Sequence, residues 1–325
     1  MLRDAVLVLT LALGTFLAPA AGDAQPATKI PRVGFLRTFP VPEMEQAFRQ
    51  GLQELGYIEG RNIVIEQRYW NGNDDRLAEV VAELLRLKVD VIVAPTPPEI
   101  EAARRATSTT PIVMVTASDP VALGFVTSLA RPGGNITGLT NLRSEVTPKQ
   151  LQLLKDAVPR LVRVAALYDP VDRAATAEAR DLEPVARSLG MKLRPLEVRG
   201  PDDFDSAFAA AVKGQAGALL VLAGPTAFAH RVRLVELAAK YRLPASFTQR
   251  QFVEAGGLMS YGTYIPDLFR RSATYVDKLL KGAKPAELPV EQPTKFDFAI
   301  NVKTARTLGL ALPPALAVRA DYVIQ

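Results

Sequence analysis

His230 is the one histidine in the 325 residues, and there is no cysteine. Those two facts remove most covalent and metal chemistry. A Ser-His-Asp triad or a multi-histidine metal site has too few members here, and thiolate nucleophiles, disulfides and cysteine zinc clusters have none. His230 lies inside an expected helix beside Arg231 and Arg233 and reads as a surface residue. No G-x-S-x-G, P-loop or G-x-G-x-x-G sequence occurs. Gly133-Gly134 precedes a strand, the wrong side for a phosphate cradle. Asp74-Asp75 and Asp202-Asp203 precede helices and read as N-terminal caps. No catalytic residue, metal or cofactor is therefore expected.

What remains is non-covalent chemistry by hydroxyls, carboxylates, backbone N–H groups and aromatic rings. In open parallel sheets ligands bind outside the carboxyl ends of the strands. That rule selects Thr38 and Phe39, Thr96 and Pro97, and Thr116, Ser118 and Asp119 in the first half of the chain. In the second half it selects Tyr168 and Asp169, Gly224 and Thr226 in the loop Ala223-Gly224-Pro225-Thr226, and Thr248. Small and hydroxyl residues at helix starts expose N–H groups that suit a carboxylate or another anion. Asp119 and Asp169 could each pair with an ammonium group. Any one of these residues could instead be an ordinary cap or turn residue. Tyr168 and Tyr264 could stack on a planar ligand, as could Trp70, Tyr69 and Phe39, which packing at the sheet rim explains equally well or better.

The elements that must position these loops alternate. Val33–Leu36, Asn62–Tyr69, Val89–Ala94, Pro111–Thr116 and Ile136–Asn141 read as strands. Between them Glu43–Leu55, Asp75–Leu87, Pro98–Ala106 and Val121–Leu129 read as helices. The same grammar restarts with helices at Pro148–Ala157, Ala174–Leu189, Phe204–Lys213, Ala227–Tyr241 and Gln251–Ala255. Strands are expected at Val162–Tyr168, Lys192–Val198, Ala218–Ala223, Pro244–Thr248 and Gly257–Tyr261. A long helix, Ile265–Lys281, one more strand, Phe296–Ile300, and a short tail complete the chain. Strand–helix alternation implies parallel sheets with right-handed crossovers. The expected fold is α/β, with two doubly wound parallel-sheet lobes joined by hinge crossings near Thr140–Val146, Tyr261–Pro266 and Gln292–Phe298.

The N-terminus carries a different signal. Arg3, the apolar run Ala5–Leu17 and the small residues Ala18, Ala20, Ala21, Gly22 and Ala24 describe a secretory signal peptide, cleaved after Gly22-Asp23-Ala24 with Ala20 or Ala21 as the second choice. The run falls short of the ~20 apolar residues of a membrane span. The expected division is 1–24 signal peptide, 25–142 plus 264–293 lobe 1, and 143–263 plus 294–325 lobe 2. A net charge of +5 comes with only isolated pairs, Arg104-Arg105 and Arg270-Arg271, so no nucleic-acid partner is expected. With no N-terminal cysteine to lipidate, the cleaved protein is expected free in the periplasm.

Several stretches together resemble one family. They are Ala47-Phe48-Arg49-Gln50-Gly51-Leu52 with Leu55-Gly56-Tyr57 and Glu59-Gly60-Arg61-Asn62; Asp119-Pro120-Val121-Ala122-Leu123-Gly124; Arg131-Pro132-Gly133-Gly134-Asn135-Ile136-Thr137-Gly138; the run from Phe252 to Gly262; and the run from Leu288 to Phe296. From about Ile30 onward the chain is similar to ABC-transporter substrate-binding proteins of the tryptophan/tyrosine type. The resemblance implies a type I periplasmic-binding-protein fold and a small-molecule ligand in the cleft. Its motifs do not fix that ligand, and because some members resemble aromatic amino-acid binders, an amino acid of aromatic class is the first expectation. It also implies a membrane permease of an ABC importer as partner, no enzymatic activity, and a monomer by default. The Asp119-Pro120 loop matches a family motif at the cleft, whereas the Tyr168-Asp169 and Gly224-Pro225-Thr226 loops match in position only. A sensor feeding a signalling receptor is the alternative, and an exported hydrolase a weaker one.

Overall fold

The computed structural model describes residues 29–325 apart from Ala223. The expected signal peptide and its cleavage site at Ala24 lie outside the described residues, as does Ala223 of the Gly224 loop. Two sheets organise the chain from Pro31 onward.

The first sheet is built from β1 (Arg32–Arg37), β2 (Val64–Tyr69), β3 (Val91–Ala94), β4 (Ile112–Ala117) and β5 (Ile136–Thr140). Helices α1 (Pro42–Glu54), α2 (Asp74–Arg86) and α3 (Pro97–Ala106) connect the first four of these strands. The order is β2-β1-β3-β4-β5, all parallel. β3 is buried at all four positions, as expected for a strand covered on both faces. On β1, Val33 and Phe35 face one layer while Leu36 faces the other. α2 and α3 cover the Leu36 face with Leu77, Val80, Leu84 and Ile100.

The second sheet repeats the order. β6 (Arg163–Tyr168), β7 (Lys192–Glu197), β8 (Ala218–Val221), β9 (Ala245–Phe247) and β10 (Met259–Thr263) pair in parallel as β7-β6-β8-β9-β10. Its helices are α4 (Arg143–Ala157), α5 (Arg173–Ser188), α6 (Phe204–Lys213), α7 (Pro225–Ala229), α8 (Arg231–Lys240) and α9 (Arg250–Glu254). α10 (Ile265–Leu280) then returns to the first sheet. There Leu268, Phe269, Ala273 and Val276 share a core with Phe35, Met44, Phe48 and Leu52. Gly51 permits that approach, because a Cβ on it would lie 2.2 Å from the Arg270 carbonyl oxygen.

The chain then runs beside β5, where Thr140 N–H donates to the Glu291 carbonyl at 3.0 Å. It next crosses to the second sheet as β11 (Phe296–Asn301), antiparallel to β10. Thr263 Oγ1 donates to the Asn141 carbonyl at 2.6 Å and Tyr264 N–H to the Lys295 carbonyl at 3.0 Å, so three passages lie side by side.

The structure departs from expectation in four places. Residues 121–129 form turns rather than a helix, because Gly124 adopts φ +69° after one closed turn. The expected helix over Ala227–Tyr241 breaks at His230 into α7 and α8. α4 begins five residues before Pro148, at a corner where Leu142 takes φ 50°. The tail is structured: α11 (Val302–Thr307), α12 (Pro314–Arg319) and β12 (Tyr322–Ile324) extend the second sheet to seven strands, with β12 parallel to β11.

Candidate functional site

In each sheet the chain leaves the first strand to one side and returns to the other. The switch falls between β1 and β3 in the first sheet and between β6 and β8 in the second. A crevice at the carboxyl ends follows from that topology.

At the first switch point Glu99 sits in the opening turn of α3 and is 1% exposed. Its Oε1 accepts from Trp70 Nε1 at 2.9 Å and from Thr38 Oγ1 at 3.1 Å, and its Oε2 accepts from Thr96 N–H at 2.9 Å. Thr38 and Thr96 are thus joined through one carboxylate. Burial pushes the Glu99 carboxyl above the ordinary carboxylate range, against the opposing charge of Arg37. Arg37 ends β1 and is 8% exposed. Its guanidinium lies over the Phe269 ring at 4.8 Å, and its buried Nε has no partner among the described residues. Burial lowers its pKa, with Glu99 and then Glu45 opposing.

The other candidates in this half are more ordinary. Phe39 is half-buried beside Gly72, and Pro97 opens α3. Thr116 Oγ1 donates to the Pro95 carbonyl at 2.8 Å. The Ser118 hydroxyl is buried with no partner among the described residues. Asp119 is exposed and accepts from Ala122 N–H at 2.9 Å, which is turn capping.

At the second switch point Tyr168, Asp169, Gly224 and Thr226 line one recess, floored by Leu167, Val221 and Phe204. Tyr168 Oη donates to Glu197 Oε1 at 3.2 Å. Asp169 Oδ1 accepts from Val171 N–H at 2.9 Å, and burial, with the nearby Asp172 adding to it, raises its carboxyl pKa. Thr248 and Tyr264 line a second recess with Glu43 and Met44 from the start of α1. There Gln251 Nε2 donates to Glu43 Oε2 at 2.5 Å, so the carboxyl ends of β1 and β9 face each other across this contact. Arg250 pairs with buried Asp297 in the same wall and lies over the Tyr322 ring at 4.6 Å. The first-half loop candidates line neither recess.

Arg37 and Glu99 were legible in part. Arg37 continues the Val33, Phe35 alternation onto a covered face, and Thr96-Pro97-Pro98-Glu99 has capping-box spacing. No local signal marks Arg250, Asp297 or Gln251.

The ABC transporter substrate binding protein model matches residues 40–324. The chain belongs to that family. A tyrosine-binding protein of Clostridioides difficile (strain R20291) is 23% identical over 281 residues, 86% of this chain and 81% of that one. Among solved structures, a conserved domain protein from Vibrio cholerae is 26% identical with a TM-score of 0.85, covering 91% of this chain and 100% of that one. The ABC domain from Streptococcus pneumonia in complex with L-Trp is 24% identical with a TM-score of 0.83, covering 90% and 99%. These likenesses and the repeated strand order make this substrate-binding family member a two-lobed α/β protein of the type I periplasmic-binding class. Among the described residues no helix is long and apolar enough to cross a membrane.

Proposed function

We propose that the chain is the extracytoplasmic solute receptor of an ABC importer and holds an amino acid, aromatic in class, between its two lobes. The observation that carries this reading is the pair of switch points. Each places polar side chains at the carboxyl ends of its strands, and the strand ends of the two sheets meet at Gln251 and Glu43. The printed names of two relatives, a tyrosine-binding protein and an L-Trp complex, support the ligand class. Lobe 1 is taken as 25–142 plus 264–293 and lobe 2 as 143–263 plus 294–325, with hinge closure as the response to ligand.

In this reading Asp169 meets the ligand's ammonium group, since its carboxylate lines a recess while that of Asp119 caps a turn in the open. Tyr168, Gly224 and Thr226 complete that wall, and Thr248 and Tyr264 flank the hinge. Thr38 and Thr96 act with Glu99 at the floor of the other lobe. The ligand leaves unchanged, to a membrane permease; the signal peptide delivers the protein, as a monomer, to the periplasm.

The test is uptake of labelled L-tyrosine and L-tryptophan by cells with and without the gene. Loss of uptake, restored by the gene, supports the importer. Unchanged uptake together with loss of a ligand-induced transcriptional response would replace it with a sensor.

A further inference from the structure

We infer that Arg37 is the seat for the ligand's carboxylate. The inference rests on the reading above for the ligand being an acid, and it names the group that holds it. Three observations converge. Arg37 sits at the carboxyl end of β1, on one edge of the first switch point, where the topology places a crevice. The residue is 8% exposed and its Nε is buried without a partner, and among the described residues its guanidinium makes no hydrogen bond and no ion pair. The buried acid Glu99 acts on it only through space: its oxygens accept from Trp70, Thr38 and Thr96, and neither is paired with Arg37.

A buried cation without a partner costs free energy, and buried polar groups are almost always satisfied. A group left in that state is explained if a partner arrives later. An arginine is the side chain suited to a carboxylate, because its planar fork can donate two parallel hydrogen bonds. The Arg37 guanidinium carbon lies 4.8 Å from the ring centroid of Phe269, buried in α10, and 5.9 Å from that of Phe35. These ring contacts hold the cation without consuming a donor. Glu99 and Glu45 face the cation from α3 and α1, and Tyr69 from β2; they moderate its charge from a distance without forming an ion pair with it. With Asp169 at the other switch point, the two ends of an amino-acid zwitterion would have opposite charges to meet, one in each lobe.

The test compares the protein with its Arg37→Met and Arg37→Lys variants by calorimetric titration. The probes are L-tyrosine, tyramine, which lacks only the carboxylate, and 3-(4-hydroxyphenyl)propionate, which lacks only the amine. The wild-type protein should bind L-tyrosine about 100-fold more tightly than tyramine, and Arg37→Met should weaken L-tyrosine by about 100-fold. Arg37→Lys should fall between, having the charge without the fork. Ligand-free Arg37→Met should unfold in urea at the wild-type midpoint or above it, since the cation it removes has no partner.

A merely structural arginine would give the reverse, a lower midpoint and equal loss for L-tyrosine and tyramine. L-tyrosine binding by Arg37→Met within about threefold of wild type would also overturn the inference. Arg37-dependent binding of 3-(4-hydroxyphenyl)propionate without any amino-acid binding would sink the amino-acid reading and keep this one. Binding of uncharged solutes alone would overturn both.

Discussion

Glu99→Gln asks whether the buried carboxylate is held by hydrogen bonds or by Arg37. The glutamine amide can still accept from Trp70 Nε1 and Thr38 Oγ1 through its oxygen, but its NH2 then faces the Thr96 N–H. One buried donor loses its acceptor, a cost of about 1–3 kcal/mol. The wild-type carboxyl carries a second, pH-dependent contribution. Burial raises its pKa above the ordinary value of 4.5, so the folded state keeps a proton that the unfolded chain has lost. Stability from this group is complete below 4.5 and is lost as pH rises through the folded-state value. Glutamine does not titrate. The variant should therefore lag the wild type most in acid, by about 1–3 kcal/mol, and the gap should narrow toward neutral pH. Urea denaturation at several pH values reads this directly, because Trp70, the one tryptophan of the sequence, touches Glu99 and reports through its fluorescence. A gap that widens with pH would refute the reasoning. It would mean that ionised Glu99 is stabilised by a cation, and Arg37 would then be its partner.

Other changes test the frame and the opposite wall. Gly138→Ala should cost about 3 kcal/mol or more or prevent folding, as judged by urea midpoint: φ is +131° and a Cβ would lie 2.1 Å from the Met114 carbonyl oxygen. Arg143→Met should lower stability by about 3–5 kcal/mol, because it strips the cation from buried Glu178 and from Asp172, which it joins at 2.7 and 3.0 Å. Asp169→Asn should weaken amino-acid binding by about 10-fold or more, while Asp119→Asn should change it by less than about twofold. Calorimetry on the two variants side by side checks that contrast, and equal effects would remove Asp169 from its assigned role.

The alternation of strands and helices was readable because each layer of this fold leaves a period in the sequence. β3 is an unbroken apolar run, and α1 carries Met44, Phe48 and Leu52 on one stripe. What stayed hidden depends on distant partners or on single backbone angles. Pro148 looked like a helix start, but Arg143 begins α4 earlier and is tied to Asp172 and Glu178, 29 and 35 residues away. Gly124 ends a turn that its neighbours could have continued as helix. The loops at the switch points followed from topology alone, whereas the standing of Arg37 and Glu99 did not. Both are charged residues at element ends, and only burial separates them from the many such residues at the surface.

The most direct test of the central claim is calorimetric titration of refolded, ligand-stripped protein with L-tyrosine and L-tryptophan, followed by mass spectrometry of the recovered solute. The account predicts saturable one-to-one binding of at least one of them and recovery of the solute chemically unchanged. No heat from either amino acid, or a solute returned altered, would contradict it.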